Sequence, residues 1–492
     1  MTRAFWLAAI VAMALPAHAR PVQIGSKAFT ESVVLGEVAR LSADRVGIEA
    51  VHRRQLGGTR ILWRALTLGD IDVYPEYTGT ITHELLHDVP PNAGIDVLRP
   101  RLAKLGIGIS AALGFNNTYA LGMKSQQARD LQISNISDLR THPQLRLGFS
   151  NEFMNRVDGW PGLRRDYALS QLGARGLDHD LAYRALADGS IDVIDLYSTD
   201  AEIAYYHLVT LVDDRHYFPR YDAVYLYRLD LLQRAAQFVD ALNALAGSID
   251  AAAMRTMNAQ VKLQGRSETQ AAAGFLGISI DATERGFWQR LGTTTLQHLR
   301  LVAISLGLAM LLAIPLGVLA ARRRRLGQLV IAATGILQTI PSLAMFVFMI
   351  PLFGIGAAPA IAALFFYSLL PIVRNTHAGL TGIAPDLLES AAALGLPARV
   401  RLWRIELPLA LRSILAGIKI AAVINVGTAT LGALIGAGGY GQPILTGIRL
   451  DDIGLILEGA VPAAIMALAV QGSFEIIEHR LTPRGLRMQA RA

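Results

Sequence analysis

Four tyrosines fall in turns that follow apolar, strand-like runs in widely separated parts of the chain. Tyr77 lies in Tyr74-Pro75-Glu76-Tyr77-Thr78-Gly79-Thr80, Tyr119 in Asn116-Asn117-Thr118-Tyr119, Tyr197 in Asp195-Leu196-Tyr197-Ser198-Thr199-Asp200 and Tyr221 in Phe218-Pro219-Arg220-Tyr221. An aromatic face carries negative quadrupole density, so several rings together can enclose a cation that has no N–H to donate, such as a quaternary ammonium group. The same rings could instead pack two lobes together with their hydroxyls hydrogen-bonded, and composition and spacing leave the ligand open. A second pattern, His83-Glu84-Leu85-Leu86-His87, is the H-E-x-x-H arrangement that sets two zinc ligands and a general base on one helix face. Pro90-Pro91 break that helix at once, the long-spacer third His position is Ala93, and no Glu occurs between Glu84 and Glu152. His83 and His87 are therefore expected on the surface of a lobe helix, no metal site is assigned, and a zinc peptidase is the alternative set aside.

The elements that would position the tyrosines alternate in type. Strand-like runs at 22–24, 71–74, 145–149 and 191–196 are separated by helical stretches such as 31–41 and the one near Ile81. Strands joined by crossover helices imply a parallel sheet with helices on both faces. The stretch from Pro21 to about Phe275 is long for one such unit and suits two lobes, the second at about 110–212. Ligands in such folds sit outside the carboxyl ends of the strands, so a cleft between lobes is the expected site. Ahead of this region, Arg3, an apolar run at 4–15 and Ala17-His18-Ala19 read as a signal peptide over 1–19, delivering the region from residue 20 onward outside the cytoplasm.

Residues Ile24-Gly25-Ser26-Lys27-Ala28-Phe29-Thr30-Glu31, the YPEYTGT run, FNNTYAL at 115–121, DLYSTDAEI, Leu211-Val212-Asp213-Asp214 and FPRY together resemble the periplasmic glycine betaine/choline/carnitine binding proteins of ABC importers. The resemblance spans nearly all of 20–281, in the family's order. It implies the two-lobed α/β periplasmic-binding-protein fold of type II and a trimethylammonium cage made of Tyr77, Tyr119, Tyr197 and Tyr221. Thr80 matches a position that contacts the ligand's polar tail in some members, and Asn117 lies in the FNNTYAL run beside the cage. One position departs from the pattern: many relatives carry Gln where this chain has Ser32.

The second half is of another kind. Over the 492 residues, 52% are hydrophobic and 17% charged, but mean hydropathy of +0.37 averages a charged first half with apolar runs in the second. After a linker at 282–298, apolar runs at 299–320, 329–353, 357–373, 414–435 and 453–470 predict five membrane spans. Arg322-Arg323-Arg324-Arg325, Arg374, the arginines of 375–412 and the basic tail at 476–492 all fall on one side, so the net charge of +7 reads as topology and not as a nucleic-acid surface. That places the first half outside and the C-terminus inside a bacterial inner membrane. The absence of Cys excludes disulfides, thiolate zinc sites and a lipidated cysteine.

Within 375–412, Glu389-Ser390-Ala391, Gly395 nine residues before Arg404, and Ile405-Glu406-Leu407-Pro408 resemble the E-A-A-x3-G-x9-I-x-L-P coupling loop of binding-protein-dependent ABC permeases. By that resemblance Glu389, Ala391, Gly395, Ile405, Leu407 and Pro408 seat the loop in a cytoplasmic ATPase, with Ser390 replacing the first Ala. Small residues at 391–393 allow close docking, and Gly395 permits the turn. Gly436-Ala437-Gly438-Gly439-Tyr440-Gly441 is formally G-x-G-x-x-G but follows a membrane span, not a strand, and no G-x-x-x-x-G-K-[ST] occurs. The chain is thus expected to hold no cofactor and to rely on ATP used by a separate ATPase subunit. The resulting expectation is a binding protein fused to the permease of an osmoprotectant importer, working as two copies in lipid. Ergothioneine or an amino-acid derivative is the alternative cargo.

Overall fold

A computed structural model describes residues 20–86, 88–90, 92–171, 173–279, 286–450 and 452–481. The expected signal peptide, His87, Pro91, part of the expected linker and Arg484, Arg487 and Arg491 of the tail lie outside the described residues. The chain divides into two compact units, largely the residues up to Ser279 and those from Gly286 onward.

The first unit is built on two five-stranded sheets. One contains β1 (Val22–Gly25), β2 (Ala50–Arg53), β3 (Val73–Tyr77), β4 (Ile107–Ile109) and β10 (Ala223–Arg228), in the order β2-β1-β3-β10-β4. The other contains β5 (Tyr119–Lys124), β6 (Leu147–Ser150), β7 (Arg175–Leu177), β8 (Val193–Tyr197) and β9 (Leu208–Thr210), in the order β7-β6-β8-β5-β9. The two-lobed α/β class is as expected, but each sheet is mixed. β1, β2 and β3 run parallel, and so do β6, β7 and β8, whereas β10 and β5 enter antiparallel. The reason is connectivity: a strand that has just crossed from the other lobe arrives from the opposite end of the sheet. β3 and β8 are buried along their whole length, consistent with strands covered on both faces. Pro75 is tolerated inside β3 because the β1 pairing involves Val73 alone, leaving no ladder bond for its missing N–H to break.

The chain crosses between lobes twice, from β4 to β5 and from β9 back to β10. The two crossings touch through an antiparallel bridge between Asn116 and Asp222. Three helices of this unit pack against one another. α1 (Thr30–Arg45) follows the loop after β1. α2 (Ala251–Lys262) is capped by the Asp250 carboxylate accepting from the Ala253 N–H at 2.7 Å. α3 (Glu268–Leu276) has a capping box of Ser267 and Gln270 and stops at Gly277 in the left-handed region.

The second unit is helical: α4 (Phe287–Arg322), α5 (Arg324–Thr339), α6 (Ser342–Phe353), α7 (Ala357–Thr381), α8 (Pro385–Ala393), α9 (Leu407–Thr428), α10 (Gly441–Leu450) and α11 (Ile453–Leu481). Among the described residues four of its helices, counting 398–435 as one stretch, are long and apolar enough to cross a membrane, and the number is five if α5 and α6 form one span. Those two are bent by 100° at Ile340-Pro341, so the second expected span is a broken helix. The Tyr367 hydroxyl donates to the Ile340 carbonyl that the break frees. α4 begins at Phe287, inside the stretch read as linker, because its polar first turns continue the helix beyond the apolar run. Small residues let α4, α7 and α9 approach closely: a Cβ at Gly417 would lie 2.7 Å from the Pro371 carbonyl, and one at Gly317 2.5 Å from Thr376. Buried Asn425 links the three, donating to Ser305 at 3.1 Å and Ser368 at 2.8 Å. Gly436, Gly438 and Gly439 all have positive φ, which makes their run a turn leading into α10.

Candidate functional site

Tyr77, Tyr119, Tyr197 and Tyr221 are all buried, each at 9% exposure or less. Tyr119 and Tyr197 are directly opposite on antiparallel β5 and β8, so their rings share one sheet face with centroids 5.1 Å apart. Tyr221 sets its ring edge-on to Tyr119 at 5.7 Å. Tyr77, at the end of β3, joins the group through Phe29, whose ring lies 6.4 Å from Tyr77 and 5.4 Å from Tyr197. Phe153 and Phe218 add further walls at 5.1 and 6.2 Å from Tyr119. Gly79 makes this possible: a Cβ there would sit 2.5 Å from the Tyr221 ring.

Charged groups surround the rings. The Arg156 guanidinium lies over the Tyr119 face, 5.5 Å from its centroid, and is held by Asp158 through two bonds of 2.7 and 2.6 Å. The Tyr221 hydroxyl also donates to Asp158. Burial pushes the Asp158 carboxyl up, but the Arg156 bonds and charge and the Tyr221 hydroxyl outweigh it and hold the pKa below the usual range. Burial pushes the Tyr119 phenol well above its ordinary value, with Arg156 acting in the opposite sense. Lys27 pairs with Glu76 at 2.6 Å in a buried bridge and lies 5.6 Å from the Tyr77 ring centroid. Ser32, where the chain departs from the family pattern, accepts the Lys27 backbone N–H at 2.8 Å. Tyr77 and Asn117 both donate to the Glu31 carboxylate, at 2.6 and 2.8 Å. Thr80 is buried on the short helix after β3.

In the second unit, α8 carries exposed Glu389 and buried Ala391, and Gly395 ends the turn at φ +73°, where an L side chain is strained. Ile405, Leu407 and Pro408 are half-buried where the chain enters α9. Leu394 at 77% and Trp403 at 66% exposure leave an apolar surface on this loop. Glu406, inside the I-x-L-P run, accepts from Arg322 at the end of α4 (2.6 Å) and from Arg401 (3.1 Å).

Residues 20–277 match the family described as the substrate-binding domain of ABC-type glycine betaine transport systems. The chain belongs to that family. Residues 313–485 match the inner membrane component of binding-protein-dependent transport systems. Together the two matches make the chain a fused binding protein and permease of an ABC importer for quaternary ammonium osmoprotectants, a transporter subunit that works with an ATPase. Over 202 residues, 40% of this chain and 94% of the relative, it is 44% identical to the osmoprotectant import permease protein OsmW of Salmonella typhimurium. Over 192 residues, 39% of this chain and 88% of the relative, it is 42% identical to the choline transport system permease protein OpuBB of Bacillus subtilis. A crystal structure of a glycine betaine/carnitine/choline ABC transporter is 29% identical, covers 52% of this chain and 97% of its own, and has a TM-score of 0.46.

In this glycine betaine family member the H-E-x-x-H run is described only in part. Glu84 pairs with Arg60 at 3.2 Å, His83 is half-buried and not on the surface as expected, and His87 lies outside the described residues. Residues that sequence reasoning missed are Phe29, Phe153, Phe218, Arg156, Asp158, Glu31 and Glu406. Phe29, Glu31 and Phe218 lie inside the runs that carry the family resemblance and could have been found there. Arg156 and Asp158 come from a turn that no motif marks.

Proposed function

We propose that Tyr77, Tyr119, Tyr197 and Tyr221 enclose the ammonium head of choline or a betaine, with the first unit outside the bacterial inner membrane. Two copies of the chain would work with two ATPases seated on the loop of Glu389, Ala391, Gly395, Ile405, Leu407 and Pro408. The observation that carries the reading is Arg156 lying over Tyr119: a face of this ring group already meets a cation that brings apolar planar surface with its charge. Both buried cations near the rings are already paired, Arg156 with Asp158 and Lys27 with Glu76. A betaine carboxylate must therefore compete for charge-balanced partners, whereas choline brings no carboxylate.

The test is ligand titration of the full chain in lipid nanodiscs with choline, glycine betaine, ergothioneine and the tertiary amine dimethylglycine. Saturable binding of a quaternary compound and its loss with dimethylglycine are expected. Equal binding of the tertiary amine would defeat the aromatic cage. Tyr197→Ala or Tyr221→Ala is expected to weaken binding by about 0.5–2 kcal/mol per lost cation–π contact.

A further inference from the structure

We propose that Glu31 is a positioning residue that ties closure of the two lobes to the placing of the Tyr77 ring. The proposal rests on the reading of Tyr77 as a wall of the ligand site. Glu31 is the second residue of α1 and is 3% exposed. One carboxylate oxygen accepts from the Tyr77 hydroxyl at 2.6 Å and from the Asn117 amide at 2.8 Å. The other accepts from the Thr199 hydroxyl and from the Asn258 amide at 3.1 Å.

These four donors come from four places. Tyr77 ends β3 in the first lobe, Asn117 stands on the first crossing, Thr199 lies in the second lobe two residues after Tyr197, and Asn258 is on α2. Asn258 also donates to the Thr199 carbonyl at 3.1 Å, so the second-lobe turn is gripped twice. A buried carboxylate is costly unless its lone pairs are filled, and here neutral donors fill them. The set is complete only while the second lobe lies against α1. Opening withdraws Thr199, admits water to Glu31 and leaves the Tyr77 hydroxyl with a mobile acceptor. The ring that faces the ligand is thereby held only in the closed form.

The titratable groups facing Glu31 are Tyr77 from β3 and Asp200 from the turn after β8, while the crossing and α2 present the neutral amides of Asn117 and Asn258. Burial, with a smaller push from Asp200, raises the Glu31 pKa to about 7 against the hydrogen bonds that lower it. Opening returns the group toward the ordinary carboxylate range. Closure therefore takes up a proton on Glu31, and the Tyr77 or Thr199 hydroxyl, turning its own O–H away, accepts it in a hydrogen bond of the same length range. Its contribution is fully present below the open-form pKa and is lost as pH rises through about 7.

The full chain in nanodiscs tests this directly. Because the protein has no Cys, Lys104→Cys and Asp130→Cys provide one spin label on each lobe. Distances are measured by electron–electron resonance with and without choline, alongside choline titration at pH 6 and pH 8. The wild type is expected to bind up to about ten-fold tighter at pH 6. Glu31→Gln is expected to flatten that profile, and Glu31→Ala to leave a large open population at saturating choline. An unchanged pH profile in Glu31→Gln, or normal closure in Glu31→Ala, overturns the proposal. If Glu31→Ala does not fold, the Glu31→Gln profile decides alone. If the wild type binds neither choline nor glycine betaine, the ligand reading falls separately. The inter-lobe distance without ligand, pH-dependent in the wild type and not in Glu31→Gln, then judges Glu31.

Discussion

Gly79 shows how a residue with no side chain can govern a site made of large ones. A Cβ there would meet the Tyr221 ring at 2.5 Å and the Arg220 carbonyl at 2.9 Å, so either the ring or the backbone of the second crossing must move. Overpacking of this kind costs about 1–3 kcal/mol. Gly79→Ala is therefore expected to weaken choline binding by roughly ten-fold or more, with the first unit still folded by circular dichroism. Normal affinity would mean that the Tyr221 position does not matter. The four tyrosines are legible in the sequence because each lies at the end of a strand-like run, although the structure puts Tyr77 and Tyr197 at the last position of a strand, Tyr119 at the first, and only Tyr221 in a loop. Their neighbours are less so, since Arg156 owes its place over Tyr119 to Asp158 two residues on, and nothing in the spacing announces which ring the pair will meet.

At the level of elements, the loop proposed to seat the ATPase is held by a carboxylate that the motif leaves undefined. Glu406 occupies the x of I-x-L-P and binds Arg322 and Arg401, joining the end of α4 to the start of α9. Removing one partner of a half-buried ion network leaves two guanidiniums uncompensated. Glu406→Ala is expected to reduce choline uptake about ten-fold in vesicles containing the partner ATPase while choline binding stays unchanged. A parallel loss of binding would show that the effect is not one of coupling. The alternation of strand and helix in the first unit is legible because the hydrophobic period changes with each element. The antiparallel entry of β5 and β10 is not, because it depends on which lobe the chain has just left. In the second unit apolar length predicts the spans, but the bend of α5 against α6 depends on how Pro341 interrupts the ladder and on Tyr367 meeting the freed carbonyl.

For the molecule as a whole, two compact units with different solvents predict two unfolding transitions. Ligand bound to one unit stabilises it by RT ln(1 + [L]/Kd), about 2.7 kcal/mol at a hundred-fold excess over Kd. Calorimetry of the full chain in nanodiscs is expected to show choline moving one transition upward and leaving the other in place. A shift of both would mean the units unfold together. The two crossings between lobes carry a further consequence. They run side by side, bridged at Asn116 and Asp222, with Asn117 donating to the Tyr221 carbonyl at 3.0 Å and Ala223 to that of Phe115 at 3.1 Å. Two linked tethers bend readily across their width, but twist or shear would stretch one against the other. Paired hinges of this kind favour a door-like opening, with a single angle as the coordinate of motion. A door with one angle would shut to one outer shape whatever cargo it holds, which would leave the choice among cargoes to the latch.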